Sequence, residues 1–375
     1  MEKNKVCIDP CGDYDYKTVK AIIEKHIDAL GGMDALLSRG NKVVVKPNMV
    51  MAKDPSFAAT THPSLVKAVC EIFVKAGATV TVAESSGGLY NKAVMAMTYK
   101  TCGIDEAVKG TGAVISEDMS SVQVQCEKGV KCRSFSVITP IANADLIVNV
   151  CKLKTHTLTA HSGAVKNMFG VIPGVQKVEM HSLFPDVDDF CDMIVDLNLS
   201  LAPSLNICDA VDVMEGNGPT SGTKTHIGAI LSSLSPFALD VVGASLSGME
   251  PSSLPMIRAA ERRGIMEGRL SAIELVGENV ERVSLKRPDT VDGRFAMLST
   301  AFGGRLRRWL TSKPKINKKR CKGCGDCVRN CPQKLIVIKK GKAHIDHNGC
   351  IRCFCCHELC KFHAVDIKRP FISKI

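Results

Sequence analysis

The 375-residue sequence predicts an α/β protein in two unequal units. The first is a body with a mainly parallel, Rossmann-like sheet carrying an antiparallel insertion, and the second is a small cysteine-rich α+β domain at the C-terminus. Three observations lead there. Apolar runs of strand length alternate with stretches of helical periodicity, the pattern of a parallel sheet with helices on its faces. Most turn-like and polar clusters fall where those strands end. The cysteines, 18 in all, are scattered singly until the tail, where they crowd into two tight runs.

Taken in order, Val19, Ile22, Ile23, Ile27 and Leu30 recur at helical spacing over residues 16–30, and Gly31-Gly32 stops that helix. Lys42-Val-Val-Val-Lys46 is a short buried strand ended by Pro47-Asn48. Thr61-His62-Pro63 caps a second helix that turns Leu65, Val66, Val69, Ile72 and Phe73 inward and stops before Gly77. Thr79-Val-Thr-Val-Ala83 is the next strand and runs into Glu84-Ser85-Ser86-Gly87-Gly88. Ala113–Ile115, Val122–Gln125 and Arg133–Val137 read as the strands of the antiparallel insertion. Asp145–Cys151 returns as a buried strand and delivers the chain to Lys152-Leu-Lys-Thr-His156. Asp186–Leu201 is helical, Leu205–Cys208 a strand, Met214–Thr223 a Gly-rich loop, and Ile227–Leu231 a strand. Pro236–Leu246 and Leu254–Arg263 are helices, and Ala272–Val276 is a last strand. The body is assigned to residues 1–294 and a basic linker to 295–313, with linker composition continuing to Lys319 and Trp309 pinning it to one unit. Residues 314–375 form the small domain.

In that domain Cys321-Lys-Gly-Cys324-Gly-Asp-Cys327-Val-Arg-Asn-Cys331-Pro332 and Cys350-Ile-Arg-Cys353-Phe-Cys355-Cys356-His-Glu-Leu-Cys360 both read C-x-x-C-x-x-C-x-x-x-C. Three closely spaced thiolates cap three irons of a cubane, while the fourth cysteine reaches the other cluster. Two [4Fe-4S] clusters follow, one on Cys321, Cys324, Cys327 and Cys360, the other on Cys350, Cys353, Cys356 and Cys331. Cys355 is left over. Paired C-x-x-C units also bind zinc, but two pairs per ion leave the third and fourth cysteines of each run unexplained. Disulfides fit poorly, because residues three apart bridge badly. Leu335–Ile345 is a hairpin turning near Gly341, between the two runs. The nine cysteines of the body read as buried reduced thiols.

From Thr311 onward there are 16 Lys and Arg against 4 Asp and Glu, a local +12, which leaves 33 against 34, or −1, for the rest of the +11 chain. With almost no aromatics to stack bases, this charge does not read as a nucleic-acid surface. It partly offsets the negative clusters, and the remainder steers an acidic redox partner protein. The opening Met1-Glu-Lys-Asn-Lys5 has no apolar run behind it, and no 18-residue apolar stretch occurs, so no membrane partner and a cytoplasmic location are expected.

Candidate chemistry gathers at strand ends, where open α/β sheets bind ligands. Lys152, Lys154, His156, His161, Ser162, Lys166 and Asn167 form the densest polar cluster outside the tail, and Ser162-Gly-Ala-Val-Lys166 could present a lysine and backbone N–H groups to an anion. Lys46 with Asn48, Glu84 with Ser85, and Asp209 with Glu215 stand at neighbouring strand ends. All would line one cleft if they share one edge of one sheet. A solvated basic loop is the competing account of the cluster. No dinucleotide or P-loop glycine motif is present.

The cysteine runs resemble the bacterial two-cluster ferredoxin family over about 55 residues, with Lys361 where the second run would have Pro. Val45-Lys-Pro-Asn48, Thr61-His-Pro63, Ala83-Glu-Ser85, Lys152-Leu-Lys-Thr-His156, Ser162-Gly-Ala-Val-Lys-Asn-Met-Phe-Gly170 and Asp209-Ala-Val-Asp-Val-Met-Glu-Gly216 resemble the ferredoxin-fused proteins of domain-of-unknown-function family 362, over a core of about residues 40–265. That family implies the architecture and the cleft but names no reaction. A fainter likeness is to the nickel-pincer lactate racemase family, in His156 and Lys166 ten residues apart with Ser162-Gly163 between and Pro173-Gly174 after; Ala164 stands where its loop has a second Gly. It implies a shared sheet and a cofactor- or substrate-binding lysine. The expected function is an iron–sulfur reductase in which lysines hold an anionic substrate or cofactor and His156 or His161 supplies the proton. A ferredoxin-type carrier with a docking body, and a metallocofactor assembly factor, are the alternatives. Whether the body holds a further cofactor stays open at this point.

Overall fold

The computed structural model describes residues 4–290 and 311–370. The body is built on strands β1 (Lys5–Pro10), β2 (Lys42–Lys46), β3 (Thr79–Val82), β4 (Val114–Ile115), β5 (Ser121–Gln125), β6 (Ser134–Ile138), β7 (Leu146–His156), β8 (Ala160–Ser162), β9 (Leu205–Glu215), β10 (Thr223–Ser233) and β11 (Glu274–Gly277). Nine of them form one sheet in the order β11-β1-β10-β9-β7-β2-β3-β4, with β8 attached to β7. Strands β9, β7, β2, β3 and β4 are mutually parallel, while β10 is antiparallel to both its neighbours.

Alternation along the central strands fills two cores, as burial of a parallel sheet on both faces requires. Val43, Val45, Leu146, Val148 and Val150 pack on one side with Val19 and Ile23 of the helix Tyr16–Ala29 and Val69 and Phe73 of the helix Pro63–Lys75. Val44, Ile147, Cys151 and Leu153 pack on the other with Phe190 and Ile194 of the helix Val187–Leu201 and Leu239 and Val242 of the helix Pro236–Leu246. Because β2, β3, β7 and β9 run in one direction, their C-terminal ends share one edge.

The structure differs from the sequence-based expectation in four places. Strand β1 was not foreseen, since Val6-Cys7-Ile8 is too short an apolar run to announce itself, yet it lies between β10 and β11. Val114–Ile115 joins the main sheet beside β3, so the antiparallel insertion is only the β5–β6 pair. Strand β7 does not stop at Cys151 but continues through Lys152–His156, and β9 and β10 extend into the expected Gly-rich loop, leaving residues 216–222 as the turn. Lys313–Ile316, basic enough to look like linker, is a strand paired antiparallel with Val365–Lys368. Residues 295–310, with Trp309, lie outside the described residues.

The tail packs around Cys321, Ile336, Ala343, Cys356, Ala364 and Val365. Its hairpin pairs Ile336–Lys339 with Lys342–Ile345. Lys340 and Gly341 both take left-handed φ, 48° and 69°, as a tight two-residue hairpin turn needs. The tail meets the body at the β9–β10 turn: Thr220 Oγ1 donates to the Glu358 carbonyl at 2.7 Å, His357 Nε2 lies 3.2 Å from the Asn217 carbonyl, and Ser221 Oγ lies 2.8 Å from His363 Nδ1. Among the described residues no helix is long and apolar enough to cross a membrane.

Candidate functional site

The strand ends and the tail enclose a cavity of about 70 Å³. Of the sequence-predicted residues, Asn48, Glu84, Ser85, Lys154, His156, Ser162, Lys166 and Asn167 line it. Lys46 stands directly behind, fully buried and ion-paired with Glu84. Lys177, His181 and Phe169 line it too, as do Cys355, Glu358 and Leu359 from the tail.

An amide chain fixes the floor. Lys154 Nζ donates to Asn48 Oδ1 at 2.7 Å, Asn48 Nδ2 to Asn167 Oδ1 at 2.7 Å, and Asn167 Nδ2 to Asn149 Oδ1 at 2.7 Å. Asn149 then donates to Asn206 on the neighbouring strand at 2.8 Å. Each amide is thereby oriented, and the network is satisfied, which holds a buried polar core rigid. Two glycines allow the close approach. A Cβ at Gly170 would sit 2.1 Å from Glu84 Oε1, and one at Gly163 would sit 2.1 Å from Asp240 Oδ1. Asp240 in turn accepts from the N–H groups of Ala164 at 2.6 Å and Val165 at 3.1 Å, fixing the turn that carries Lys166.

The cations differ in their partners. Lys177 Nζ donates to Ser85 O, Ser85 Oγ and Ile172 O, using its three N–H groups. Lys154 uses two, on Asn48 and the Ala59 carbonyl. Lys166 Nζ lies over the Phe169 ring at 4.7 Å, and among the described residues it has no hydrogen bond or ion pair. Burial lowers the proton affinity of all three, Lys154 and Lys177 to about 7. Burial likewise holds His156 well below the ordinary histidine range, with Lys166 and Lys154 adding to the effect. His156 Nδ1 accepts from the N–H groups of Leu158 at 3.1 Å and Thr159 at 3.4 Å, so the proton of the neutral ring is on Nε2. That Nε2 is buried without a hydrogen-bond partner and lies 3.8 Å from Glu358 Oε2. His181, stacked on Phe190 at 4.4 Å, is lowered to about 3 by burial.

Besides Lys46, four predicted residues lie outside the cavity lining. Lys152 and Asp209 face each other in register across β7 and β9 and pair at 2.8 Å, closed off by the Tyr14 hydroxyl and the His62 N–H. A register shift between Lys152 and Lys154 separates that pair from the cavity. His161 alternates with Ser162 along β8, so it turns away to lie beside Gly163 and Gly243, where burial lowers it to about 4. Glu215, at the far end of β9, accepts from the Lys286 N–H at 2.8 Å. Sequence reasoning missed Lys177 and His181, one helical turn apart after Pro173-Gly174, and had no means to see that Glu358 reaches the body.

The eight tail cysteines stand around two hollows. One is lined by Cys321, Cys324, Cys327 and Cys360, the other by Cys331, Cys350, Cys353 and Cys356. This is the crossed arrangement in which each run lends its fourth cysteine to the other, and a set of four thiols around a hollow fits a cubane. Among the described residues no three His, Cys, Asp or Glu side chains converge on one point as a single metal ion needs.

Residues 43–245 match the family model described as Domain of unknown function (DUF362), and residues 313–361 match the 4Fe-4S dicluster domain. The thylakoid-associated protein sll1697 of Synechocystis sp. is 28% identical over 265 residues, covering 67% of this chain and 77% of that protein. Two further proteins match over a short span only. Pyruvate synthase subunit PorD of Methanothermobacter marburgensis is 36% identical over 62 residues, 16% of this chain and 72% of the subunit. Uncharacterized protein MJ0749 of Methanocaldococcus jannaschii is 39% identical over 58 residues, 16% of this chain and 22% of that protein. Among solved structures, the lactate racemase apoprotein from Thermoanaerobacterium thermosaccharolyticum is similar with a TM-score of 0.40 and 14% identity, over 67% of this chain and 59% of that one. The family-model matches place the cavity and the cysteine-lined hollows described above in a chain that belongs to the DUF362 family and carries a C-terminal 4Fe-4S dicluster domain, an iron–sulfur electron carrier of ferredoxin type.

Proposed function

We propose that the chain is an iron–sulfur reductase that takes electrons through its tail and delivers them to a small anion held in the body cavity. The observation that carries this reading is Lys166, an ammonium without an anionic partner among the described residues, facing a cavity one wall of which is the cysteine-bearing helix Cys355–Glu358. Lys166 is only partly exposed and burial lowers its proton affinity, so a counter-ion taken from solution into the cavity would stabilise its charged form. When bound, two [4Fe-4S] clusters supply single electrons at low potential. Lys166 and the remaining N–H of Lys154 hold the anion, with charge-assisted bonds. His156 donates its Nε2 hydrogen bond to the bound group and orients it, and the proton that accompanies reduction passes along His156 from the rim, where the Glu358 carboxylate lies 3.8 Å from Nε2. Lys46, Glu84 and the amide chain keep these groups in place. Ser85 fastens Lys177, and Ser162 contributes its hydroxyl to the lining. Lys152, Asp209, His161 and Glu215 take no part in this reading.

The tail's charge of +12 from Thr311 onward steers an acidic donor protein, and the many free thiols suit the reducing cytoplasm. This reading takes the units as a body of residues 1–294 and a ferredoxin-type domain of 314–375, whose first strand begins one residue earlier, at Lys313. A carrier whose body is only a docking module is the second reading, favoured by that same charge. To separate them, the clusters are reduced with dithionite and mixed anaerobically with a panel of small oxyanions. Reoxidation by one of them supports the reductase, and reoxidation only by a protein acceptor leaves the carrier.

A further inference from the structure

The two cysteine sets do not face the same surroundings. Cys324 is exposed, and Phe362, in the lining of the same hollow, is 37% exposed. In the other set no cysteine is exposed, and its Cys356 lies on the four-residue helix Cys355–Glu358 whose Cys355 and Glu358 line the body cavity. Cys355, absent from both hollows, borders the cavity and stands next to Cys356 and two residues from Cys353, both of which line the hollow. The helix is therefore a shared wall: its Cys356 serves the hollow, and its neighbour serves the cavity.

We propose that the cysteine set Cys331, Cys350, Cys353 and Cys356 serves the cavity, that the set Cys321, Cys324, Cys327 and Cys360 serves the partner surface, and that Cys355 is the positioning residue between cavity and near cluster. This rests on the reading of the cavity as an anion site. The set that holds the exposed Cys324 would take electrons singly from the partner protein, which is oxidised, and the set beside the cavity helix would pass them to the bound anion, which is the oxidant. The thermodynamic consequence follows from charge. An anion in the cavity disfavours the extra electron on the near cluster, and by reciprocity reduction of that cluster weakens the anion. The far cluster, nearer solvent and salt, is moved less.

The test is an EPR-monitored redox titration of the anaerobic full-length protein with and without saturating formate, acetate or inorganic phosphate. Cys324→Ser and Cys350→Ser tag the signals of the far and near clusters by changing one ligand each. A roughly tenfold weaker binding to the reduced protein is expected, read as a fall of about 59 mV in the potential of the Cys350-tagged cluster, with the Cys324-tagged cluster moved by less than a third of that. Cys355→Ala leaves every ligand in place and provides a second reading: it shifts the near potential and spares the far one. A shift confined to the Cys324-tagged cluster, an equal shift in both, or an effect of Cys355→Ala on both would overturn the proposal. Should calorimetry find that none of the three anions binds, the anion site itself falls and this assignment with it.

Discussion

Lys152 and Lys154 stand two residues apart on one strand and are 1% and 2% exposed, but their surroundings oppose each other. Lys152 is matched by Asp209 at 2.8 Å and capped by Tyr14, a closed polar unit inside the fold. Lys154 has only neutral oxygens, from Asn48 and Ala59, and with Lys166 it faces open space. The comparison separates a lysine that fastens two strands from lysines that face a cavity with no ion-pair partner among the described residues. Both look alike in the sequence, because Lys-x-Lys says nothing about which one will meet a carboxylate.

The largest expected effect breaks the closed side. Asp209→Ala leaves Lys152 buried and unpaired, a loss of about 3–5 kcal/mol in stability, measured by denaturant unfolding of the holo-protein. The double variant Lys152→Met with Asp209→Leu should recover most of it, since an apolar pair of similar volume removes the stranded charge. If Asp209→Ala proved neutral, the pair would not be the fastening it is described as.

On the open side, His156→Ala should lower turnover of the oxidant by about 10²–10⁴ with the cluster spectrum intact, the usual range for a positioned proton donor. Retention of full turnover would move the proton to another group. A milder effect comes from pH. Only the protonated ammonium binds the anion, and burial sets Lys154 near 7 in the free protein. Affinity should therefore be complete below about pH 7 and fall about tenfold per unit as pH rises above it, one proton being taken up per anion bound. Calorimetry in buffers of different ionisation heat reads that proton directly, and affinity constant from pH 6.5 to 8.5 would contradict it. The smallest effect is expected at Cys355→Ser, which should leave eight irons and eight sulfides per chain, as two cubanes require. A count of four would return Cys355 to the ligand set.

Much of the site, though not this contrast, is legible in the sequence. The strand ends of β2, β3 and β7 were visible as Lys46-Pro47-Asn48, Glu84-Ser85 and Lys154 with His156, because apolar runs mark parallel strands and parallel strands place their ends together. The crossed cysteine sets followed from spacing alone. What stayed hidden was pairing across strands: Asp209 reaches Lys152 only through the register of β7 on β9, and register is a tertiary fact. Period-two alternation could have warned that His161 and Ser162 point to opposite faces, had β8 been recognised within so short a span. Glu358 was beyond reach, since its place at the cavity depends on how the tail docks on residues 216–222.

The most direct test of the central claim is calorimetric titration of the anaerobic holo-protein with a small oxyanion, wild type against Lys166→Ala. Losing one charge-assisted contact of about 1.5–3 kcal/mol should weaken binding roughly 10- to 150-fold, with clusters retained, because no cysteine is changed. Equal affinity in the two proteins would contradict the account, and the cavity would then be a structural seam between the body and its iron–sulfur tail.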